Sequence, residues 1–365
     1  MKPMPVHLIK PRELSQSEIA AWHIMQRETP SLANPFLSPE FAIAVGRSRP
    51  SAEVAVLTSG QSITGFFPFE RRGLGLGAPI GGWLSPCQGL IHAPGAEWDP
   101  QQLLRASRLS AWRFDNLVAD QEALRPFHTA MTAAPVIDLS AGFDAYYAKL
   151  QVRAPRLCRE LARKTRKLDR DAGDVHLVRD CRDASVLQTL MAWKSDQYRR
   201  TDHVDRFDPA WVRELLHTLL ATRESNVSGL LSVLYAGSQP VAAQFGLRSG
   251  SLLVGWFTGY DHRFAKYSPG VIQLVRMADE LGAAGIDTIY MGKGAKAYTQ
   301  TLKSHDIYAA EGTVTNRSGL GIAYRLRGAA ARWAIGTVRQ HPRLHRTADQ
   351  IVRATGVSRR TYGRI

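Results

Sequence analysis

The sequence predicts an α/β protein of the α+β mixed-sheet type, and three observations support this. Apolar runs GLLSVLYA, PVAAQFGLR and SLLVGWFTGY, separated by turns at Gly237-Ser238 and Ser249-Gly250, predict an antiparallel meander. The amphipathic segment VIQLVRMADELGAAG and the short strand DTIYMG follow it, which predicts a right-handed crossover onto a parallel neighbour. A second hairpin, EVAVLTSGQSITGFFPFERR, is predicted near the N-terminus.

The remaining elements extend this pattern along the chain. Before the meander, the strand DVHLVRD and the helices ASVLQTLMAWKSDQYRR and DPAWVRELLHTLLATRE complete a predicted order β-α-α-β-β-β-α-β-α-β. The crossover helix is expected to stop at Gly285, and a helix through AYTQTLK precedes a final strand pair. Near the N-terminus, Ser38 and Pro39 suit the cap and first turn of a helix.

A faint internal repeat indicates duplication of one sheet unit. Val56-Leu57, Gly60 and Arg71 in the first hairpin recur at identical spacing in the second, as Val233-Leu234, Gly237 and Arg248. The repeat and a new strand signal near Pro135 predict three regions, with boundaries 1–134, 135–316 and 317–365.

Positive charge is concentrated in two segments. The 365 residues include 47 Lys and Arg against 32 acidic residues, a formal charge of +15. Segment 149–170 has a net charge of +7 and segment 317–365 has +10, so the rest of the chain is about neutral. Six arginines of the first segment recur at three- and four-residue steps on a region predicted as one long basic helix: Arg153, Arg156, Arg159, Arg163, Arg166 and Arg170. Both segments are expected to meet an anionic partner or to be solvated faces.

Composition excludes several classes of protein. At 44% hydrophobic and 22% charged residues the chain is neither disordered nor fibrous, and no apolar run is long enough to span a bilayer. The N-terminus has no apolar signal sequence, and Cys87, Cys158 and Cys181 are widely spaced, so a cytoplasmic location is expected. His341 and His345 lack an acidic companion, and no metal site is predicted.

The triplet Ser268-Pro269-Gly270 at the start of the crossover helix is the first candidate site. Serine suits a cap, proline the first turn, and glycine lets a ligand approach the backbone, with Val271 completing the turn. Free amides and the helix dipole at such an end favour a phosphate. Lys266 and Tyr267 are expected to add a cation and a stacking surface, and the alternative is an ordinary capped helix.

The segment GKGAKAYTQTLK after the next strand is the second candidate. Gly292 and Gly294 free the backbone beside Lys293 and Lys296, and Lys293 is expected to reach a phosphate of the ligand as a point charge. The alternative is a surface turn with solvated lysines.

The chain resembles a GNAT superfamily acyltransferase of the family named for cellulose and exopolysaccharide biosynthesis, and more distantly the FemABX peptidyltransferases. The matching pieces run from about residue 30 to 315: ANPFLSPEF, WKSDQY, PVAAQFGL, KYSPGVIQL and YMGKGAKAYTQTLKSHDIYAAEG. The late motif of the family tends to read D-x-G-x-G-x-x-x-Y-K, whereas this chain has Tyr290 and Thr299 at the Asp and Lys positions. The Q/R-x-x-G-x-G/A phosphate loop of ordinary GNAT enzymes is replaced by YSPG.

The resemblance implies tandem GNAT-like domains, each with a mixed, mostly antiparallel sheet flanked by helices, the first degenerate and the second binding the donor. It implies acyl transfer, most often of acetyl, from acetyl-CoA or another acyl-CoA to a saccharide or another small acceptor of envelope metabolism. It also implies that Tyr298 protonates the leaving thiolate. Lys194, Gln197 and Tyr198 share one helical face, which by resemblance borders the acceptor cleft.

Direct transfer also needs a proton acceptor and donors aimed at the developing oxyanion. The base candidates are Asp261, His262, Asp196 and Glu70. Gln244, a polar residue in an apolar strand, is expected either to face the cleft or to make a structural hydrogen bond. Cys87 would be the candidate for a covalent route, and a buried apolar role suits it better.

Two other functions stay open. A FemX-like transferase would use aminoacyl-tRNA as its donor, and the basic ridge favours this interpretation. A catalytically inactive GNAT-like domain would serve as a binding module, and the replacements at Tyr290 and Thr299 favour that one. The sequence leaves the oligomeric state open.

Overall fold

A computed structural model describes residues 5–224, 226–294 and 297–324 of the chain. The strands are β1 Val6–Ile9, β2 Ala52–Ser59, β3 Ser62–Arg71, β4 Leu76–Pro79, β5 Ile91–His92, β6 Ala111–Val118, β7 His128–Asp138, β8 Val175–Val178, β9 Ser228–Ala236, β10 Gln239–Ser249, β11 Leu252–Tyr260, β12 Thr288–Tyr290 and β13 His305–Thr315. The helices are α1 Gln16–Glu28, α2 Pro39–Ser48, α3 Pro100–Ala106, α4 Phe143–Arg153, α5 Pro155–Ala172, α6 Ala184–Arg200, α7 Ala210–Ala221, α8 Pro269–Ala283 and α9 Ala297–Leu302.

The strands form a single mixed sheet flanked by helices, which confirms the predicted fold class. Their order is β1-β2-β3-β4-β6-β13-β7-β12-β11-β10-β9-β8, with β5 paired to β3 beside this path. The pairs β4–β6 and β11–β12 are parallel, and every other strand pair is antiparallel. From β8 onward the element order is the predicted β-α-α-β-β-β-α-β-α-β.

From the centre of the sheet to each of its two edges, the strands follow the same order of parallel and antiparallel pairs. The first unit, β1 to β6 with α1 to α3, and the second unit, β8 to β12 with α6 to α9, each contain one parallel pair and an antiparallel series. The two central strands are exchanged: β7 follows β6 in the chain but pairs with β12, and β13 follows β12 but pairs with β6. β7 and β13 pair with each other and so join the units.

The repeated spacing seen in the sequence corresponds to two equivalent hairpins. Gly60 turns β2 into β3 with φ of 61°, and Gly237 turns β9 into β10 with φ of 58°. Both positions lie in the left-handed region, where glycine avoids the strain that a Cβ would cause.

Two expectations about boundaries meet a different local structure. The predicted long basic helix is two helices, α4 and α5, which break at Ala154 because Pro155 disfavours a helical conformation in the residue before it. Strand β7 runs through residues 134 and 135, where the first boundary was predicted, and the three-domain division itself stays a prediction. Most of the predicted basic tail, including His341 and His345, lies outside the described residues.

Within the described ranges, no helix combines the length and apolar character that crossing a bilayer requires.

Candidate functional site

The carboxyl end of β11 brings both candidate groups of residues together. β11 pairs with β12 only from Leu252 to Val254, and its later residues continue without that neighbour. A Cβ added at Gly259 would lie 3.4 Å from Cγ of Lys194 on α6, and one at Gly270 of α8 would lie 3.8 Å from Tyr260. The end of β11 therefore lies between the predicted acceptor face on α6 and the predicted phosphate site at the start of α8, in contact with both.

Ser268 stands directly before α8, but it does not cap the helix as expected. Its backbone is left-handed, with φ of 57° and ψ of 51°, and its side chain makes no capping hydrogen bond. A non-glycine residue in this region carries strain, which is found preferentially at functional turns. The conformation leaves the hydroxyl free to contact a neighbouring helix.

The first turn of α8 presents fewer free amides than the sequence suggested. Pro269 has no N–H, and the amide of Val271 donates to the Ser268 carbonyl at 3.0 Å, so Val271 is corrected as an anion donor. The amide of Ser268 donates to Ala265. The Gly270 N–H has no partner among the described residues, and it lies at the positive end of the helix dipole.

A lysine from outside the second unit completes this helix end. Lys164 of α5 donates from Nζ to Ser268 Oγ at 2.8 Å and pairs with Glu160 one turn earlier, also at 2.8 Å. The helix end thus offers an amide, a hydroxyl and an ammonium group. Phosphate oxygens accept hydrogen bonds from donors of these kinds.

Tyr267 is not the stacking surface that the sequence predicted. It is 4% exposed in the core of the second unit, and its hydroxyl donates to Asp171 Oδ2 at 2.6 Å. Lys266 is exposed and lies with Nζ 5.0 Å from the centre of the Tyr267 ring. Of this pair, only Lys266 faces solvent as a cation.

Asp261 is corrected from general base to structural anchor. Its buried carboxylate accepts hydrogen bonds from Arg263, including Nη2 at 2.6 Å, and it caps the 3-10 turn His262–Tyr267. The hydrogen bonds from Arg263 hold the pKa of Asp261 below its usual range, despite partial burial. A carboxylate with a lowered pKa is a poor base. His262 is exposed on the same turn and stays a candidate.

The two other base candidates are engaged in ion pairs. Glu70 at the end of β3 is fully buried and contacts Arg49 at 2.6 Å and Arg72 at 3.2 Å. Asp196 on α6 is exposed and pairs with Arg199. Both carboxylates serve local structure.

Lys194, Gln197 and Tyr198 do share one face of α6, as predicted. Lys194 Nζ donates to Gln197 Oε1 at 2.9 Å and lies 5.0 Å from the centre of the Tyr198 ring. Lys194 is only 9% exposed, and burial raises the pKa of Tyr198. Through these two contacts Lys194 orients Gln197 and Tyr198. The role of the three residues in binding the acceptor stays a prediction.

Gln244 makes a structural hydrogen bond beside the site. It is 6% exposed on β10 and accepts from Thr258 Oγ1 on β11 at 3.1 Å. One register step away, Trp256 is an extra residue in β11 relative to β10, and its indole N–H donates to the Leu84 carbonyl of the first unit at 2.8 Å. The two units are thus joined beside the same strand end.

Lys293 and Gly294, the predicted phosphate ligands, contact the central strands, and their role toward a phosphate stays a prediction. Lys293 Nζ donates to Glu311 Oε1 at 2.8 Å and to the Asp115 carbonyl, so its charge is compensated between β13 and β6. Gly294 donates its amide to Ala133 of β7 at 3.3 Å. Both residues fasten the end of β12 to the central strands, and Lys296 lies outside the described residues.

Burial raises the pKa of three further side chains that the sequence analysis singled out. Tyr298 of α9 is partly buried, and desolvation raises its pKa. Desolvation also raises the pKa of Tyr290, which replaces the family's Asp, and raises the pKa of Cys87 to about 12. A buried thiol of this kind is unsuited to nucleophilic catalysis.

The first unit has the same elements without the same site. Its helix α3 is capped by Asp99, whose carboxylate accepts from Gln102 N at 2.7 Å and places negative charge where α8 is open. The space between β4 and β6 is closed by Gln88, whose Oε1 accepts from the amides of Asp115 and Asn116. The first unit therefore has a carboxylate at the helix end that corresponds to the start of α8, which disfavours an anion there.

Sequence reasoning missed two residues of the site. Lys164 was visible only as one of many basic residues, because its contact with Ser268 joins positions 104 residues apart. Tyr260, 37% exposed beside Gly270, was assigned only to a strand. Tyr260 is the last strand residue before the loop that leads to Ser268. That position could have indicated that it lies near the site.

The described residues contain no cluster of three or more His, Cys, Asp or Glu side chains arranged to hold a metal ion.

Comparison with known proteins finds a similarity that lies mostly in the second unit. Residues 156–300 match the family described as an acetyltransferase (GNAT) domain. The match covers 145 of the 365 residues, so the likeness to this family concerns that part of the chain. The match begins at the second residue of α5 and ends within α9, so it includes the Lys164–Ser268 contact. No curated protein matches the chain by sequence.

Solved structures resemble the whole described sheet. FemX aligns with a TM-score of 0.55 at 9% identity, over 84% of this chain and 96% of its own. The C-terminal DUF2156 domain of a protein from Agrobacterium fabrum aligns with a TM-score of 0.50 at 10% identity, over 85% and 96%. A tandem GNAT protein from the clavulanic acid biosynthesis pathway gives 0.48 at 8% identity, over 86% and 98%. At these identities the likeness concerns the fold.

Proposed function

We propose that this chain is an acyltransferase that takes an acyl group from coenzyme A and passes it to an amine or hydroxyl acceptor. The diphosphate of the donor would lie at the start of α8, against the Gly270 amide, Ser268 Oγ and Lys164 Nζ. The observation that carries the proposal is the contrast between the open, positive end of α8 and the Asp99-capped end of α3.

The transfer itself needs few protein groups. The lone pair of the acceptor attacks the thioester carbonyl carbon, the C–S bond breaks, and the acyl group moves in one ternary complex without a covalent enzyme intermediate. Tyr298, the proton donor that the family resemblance implies, would supply the proton of the leaving thiol. The proton released by the acceptor would go to solvent or to exposed His262.

For the acceptor we propose a saccharide or envelope precursor, with acetyl as the acyl group. This part rests on the resemblance to the exopolysaccharide family and on the polar face formed by Gln197 and Tyr198 beside the end of β11. That face carries an amide and a phenol hydroxyl, which suit hydrogen bonds to sugar hydroxyls.

The test is thermal unfolding of the full chain with CoA and acetyl-CoA. A ligand present at 100 times its Kd adds about 2.7 kcal/mol of stability. Gly270→Asp should abolish that response by placing negative charge at the helix end. Gly270→Ala is the matched control, because its Cβ would meet only Tyr260, at an ordinary contact distance of 3.8 Å.

Two outcomes would contradict the proposal. One is that neither acetyl-CoA nor free CoA stabilises the unmodified chain. The other is a CoA response that Gly270→Asp leaves unchanged, since the ligand would then bind elsewhere. If neither CoA nor bulk tRNA stabilises the chain, the result supports the alternative of a catalytically inactive binding module.

A further inference from the structure

A cluster of two tryptophans and three arginines lies where the two units meet. This seam cluster consists of Trp83, Trp211, Arg49, Arg72 and Arg206. Trp83 belongs to the 3-10 turn Gly82–Leu84 of the first unit, and Trp211 belongs to α7 of the second. Their ring centres are 6.4 Å apart and their planes meet at 70°, which is an edge-to-face aromatic contact across the seam.

Two consecutive glycines hold the first indole in place. Gly81 and Gly82 have φ of 75° and 57°, in the left-handed region that favours glycine, and the turn that they begin carries Trp83. A Cβ added at Gly82 would lie 3.2 Å from Nη2 of Arg72. The backbone at this turn is therefore shaped to bring an indole and a guanidinium close together.

Each indole has a guanidinium over its ring. Cζ of Arg206 lies 5.4 Å from the ring centre of Trp83, and Cζ of Arg49 lies 4.8 Å from that of Trp211. Arg49 is also paired with Glu70 at 2.6 Å. Arg206 is exposed and makes no ion pair or hydrogen bond with another described residue. The cation–π contact thus restrains a guanidinium whose N–H groups are available to a ligand.

The seam cluster has an excess of one positive charge. Fully buried Glu70 is shared by Arg49 and by Arg72, which lies 3.2 Å from it. Asp205, the residue before Arg206, accepts a backbone amide of its own loop at 2.9 Å. Three guanidinium groups therefore face two carboxylates, and the charge left over is that of one arginine.

The seam cluster adjoins the predicted acceptor face. The ring of Phe207, which follows Arg206, lies 6.2 Å from that of Tyr198 on α6. Burial raises the pKa of Tyr198, and the positive charge of Arg206 acts in the opposite direction. The indole of Trp256 on β11 donates to the carbonyl of Leu84 in the turn that carries the first indole. The acceptor face therefore continues from α6 across the seam onto the first unit.

We propose that the seam cluster binds a carboxylate group of the acceptor and that Arg206 selects it, so that the acceptor is an acidic saccharide. This inference rests on the proposed function, which it makes more specific. The planar fork of a guanidinium matches a carboxylate in a bidentate way, and a single carboxylate balances the excess charge of the cluster.

Two features favour a sugar carboxylate over a phosphate group. A phosphate monoester carries a charge of about −1.5 to −2 at neutral pH, which exceeds what the cluster compensates. Trp83 and Trp211 are partly exposed, so their apolar rings offer contact area to the C–H groups of a sugar ring beside the charged group.

The experiment compares three sugars that differ only at carbon 6: D-glucuronate, D-glucose and D-glucose 6-phosphate. Ligand-observed NMR with the full chain measures each Kd, with and without free CoA. Glucuronate should bind at least about tenfold more tightly than glucose, because a charged hydrogen bond is replaced by a neutral one, and more tightly than the phosphate. Arg206→Gln should remove the advantage of glucuronate over glucose and leave the Kd of glucose unchanged.

Arg200→Gln is the matched control, because it removes the same charge from an exposed arginine at the end of α6. Nε of Arg200 donates to the carbonyl of Asp196, outside the seam cluster. This variant should retain the preference for glucuronate. An unchanged stabilisation by CoA in both variants shows that they are folded.

Four results would overturn the inference: equal binding of glucuronate and glucose, tighter binding of glucose 6-phosphate, an unchanged preference in Arg206→Gln, or equal losses in both variants. The proposed function is judged separately by the CoA response. A chain that prefers glucuronate but is not stabilised by CoA would refute the donor and keep the carboxylate site. A chain that responds to CoA without that preference would refute the carboxylate site alone.

Discussion

Lys164 Nζ and Ser268 Oγ lie 2.8 Å apart, and this contact joins α5 to the start of the crossover helix. It places a positive charge beside the unpaired amide of Gly270, at the end of α8 where the helix dipole is also positive. The pair is the basis of the first prediction.

Lys164→Gln should weaken the binding of CoA by about tenfold to a hundredfold. A hydrogen bond from a charged group contributes about 1.5–3 kcal/mol, and each 1.4 kcal/mol changes Kd tenfold. Isothermal titration with CoA measures the change. Lys167→Gln on the same helix is the control, since Lys167 pairs with Asp171, and equal losses in both variants would refute the assignment.

Tyr298→Phe should lower kcat by about a hundredfold or more and leave CoA affinity unchanged. General acid catalysis contributes about 10²–10⁴ to the rate, and phenylalanine fills the same partly buried place without a proton. Thiol release from acetyl-CoA, with an amino sugar selected by screening, measures the rate. Tyr147→Phe, another partly buried tyrosine of the same core, should have no such effect, and a similar loss there would argue for packing alone.

Asp261→Asn should reduce the free energy of unfolding at neutral pH, and the reduction should disappear in acid. Because hydrogen bonds from Arg263 lower the folded-state pKa, the carboxylate stabilises the fold above its unfolded-state pKa of about 3.9. That contribution is lost as pH falls through the folded-state value. Urea unfolding across this range checks the sign, and a difference that grows on acidification would contradict it.

Gln88→Ala should destabilise the first unit by about 2–6 kcal/mol, about 1–3 kcal/mol for each of two donors. Its side chain accepts from the amides of Asp115 and Asn116, and a buried donor left unsatisfied costs about 1–3 kcal/mol. Chemical denaturation measures the loss. Exposed Gln151 on α4 provides the control, where alanine should change stability by less than about 0.5 kcal/mol, and equal effects would show that Gln88 does not close the first unit.

Local patterns were sufficient to predict most of the second unit. The meander, the crossover helix ending before Gly285 and the shared face of Lys194, Gln197 and Tyr198 depend on periodicity within a single segment. The break between α4 and α5 was missed although Pro155 marks it, because the charge pattern continues across the break.

Contacts distant in sequence could not be predicted in the same way. The Lys293–Glu311 pair depends on β13 crossing to the first unit, and periodicity gives no information about that crossing. The left-handed Ser268 depends on a loop held by Asp261 and Arg263 as well as on its own type. The sequence located the helix end correctly, but it did not indicate that Lys164 contacts Ser268 there.

The exchange of β7 and β13 has a consequence for synthesis on the ribosome. β6 gains its neighbour on the central side of the sheet only when β13, which ends at Thr315, has emerged. About two hundred residues separate these strands, a contact of high sequence separation that slows folding. Until then the nascent first unit has an unpaired β6 edge, at which a chaperone or a second nascent chain could bind.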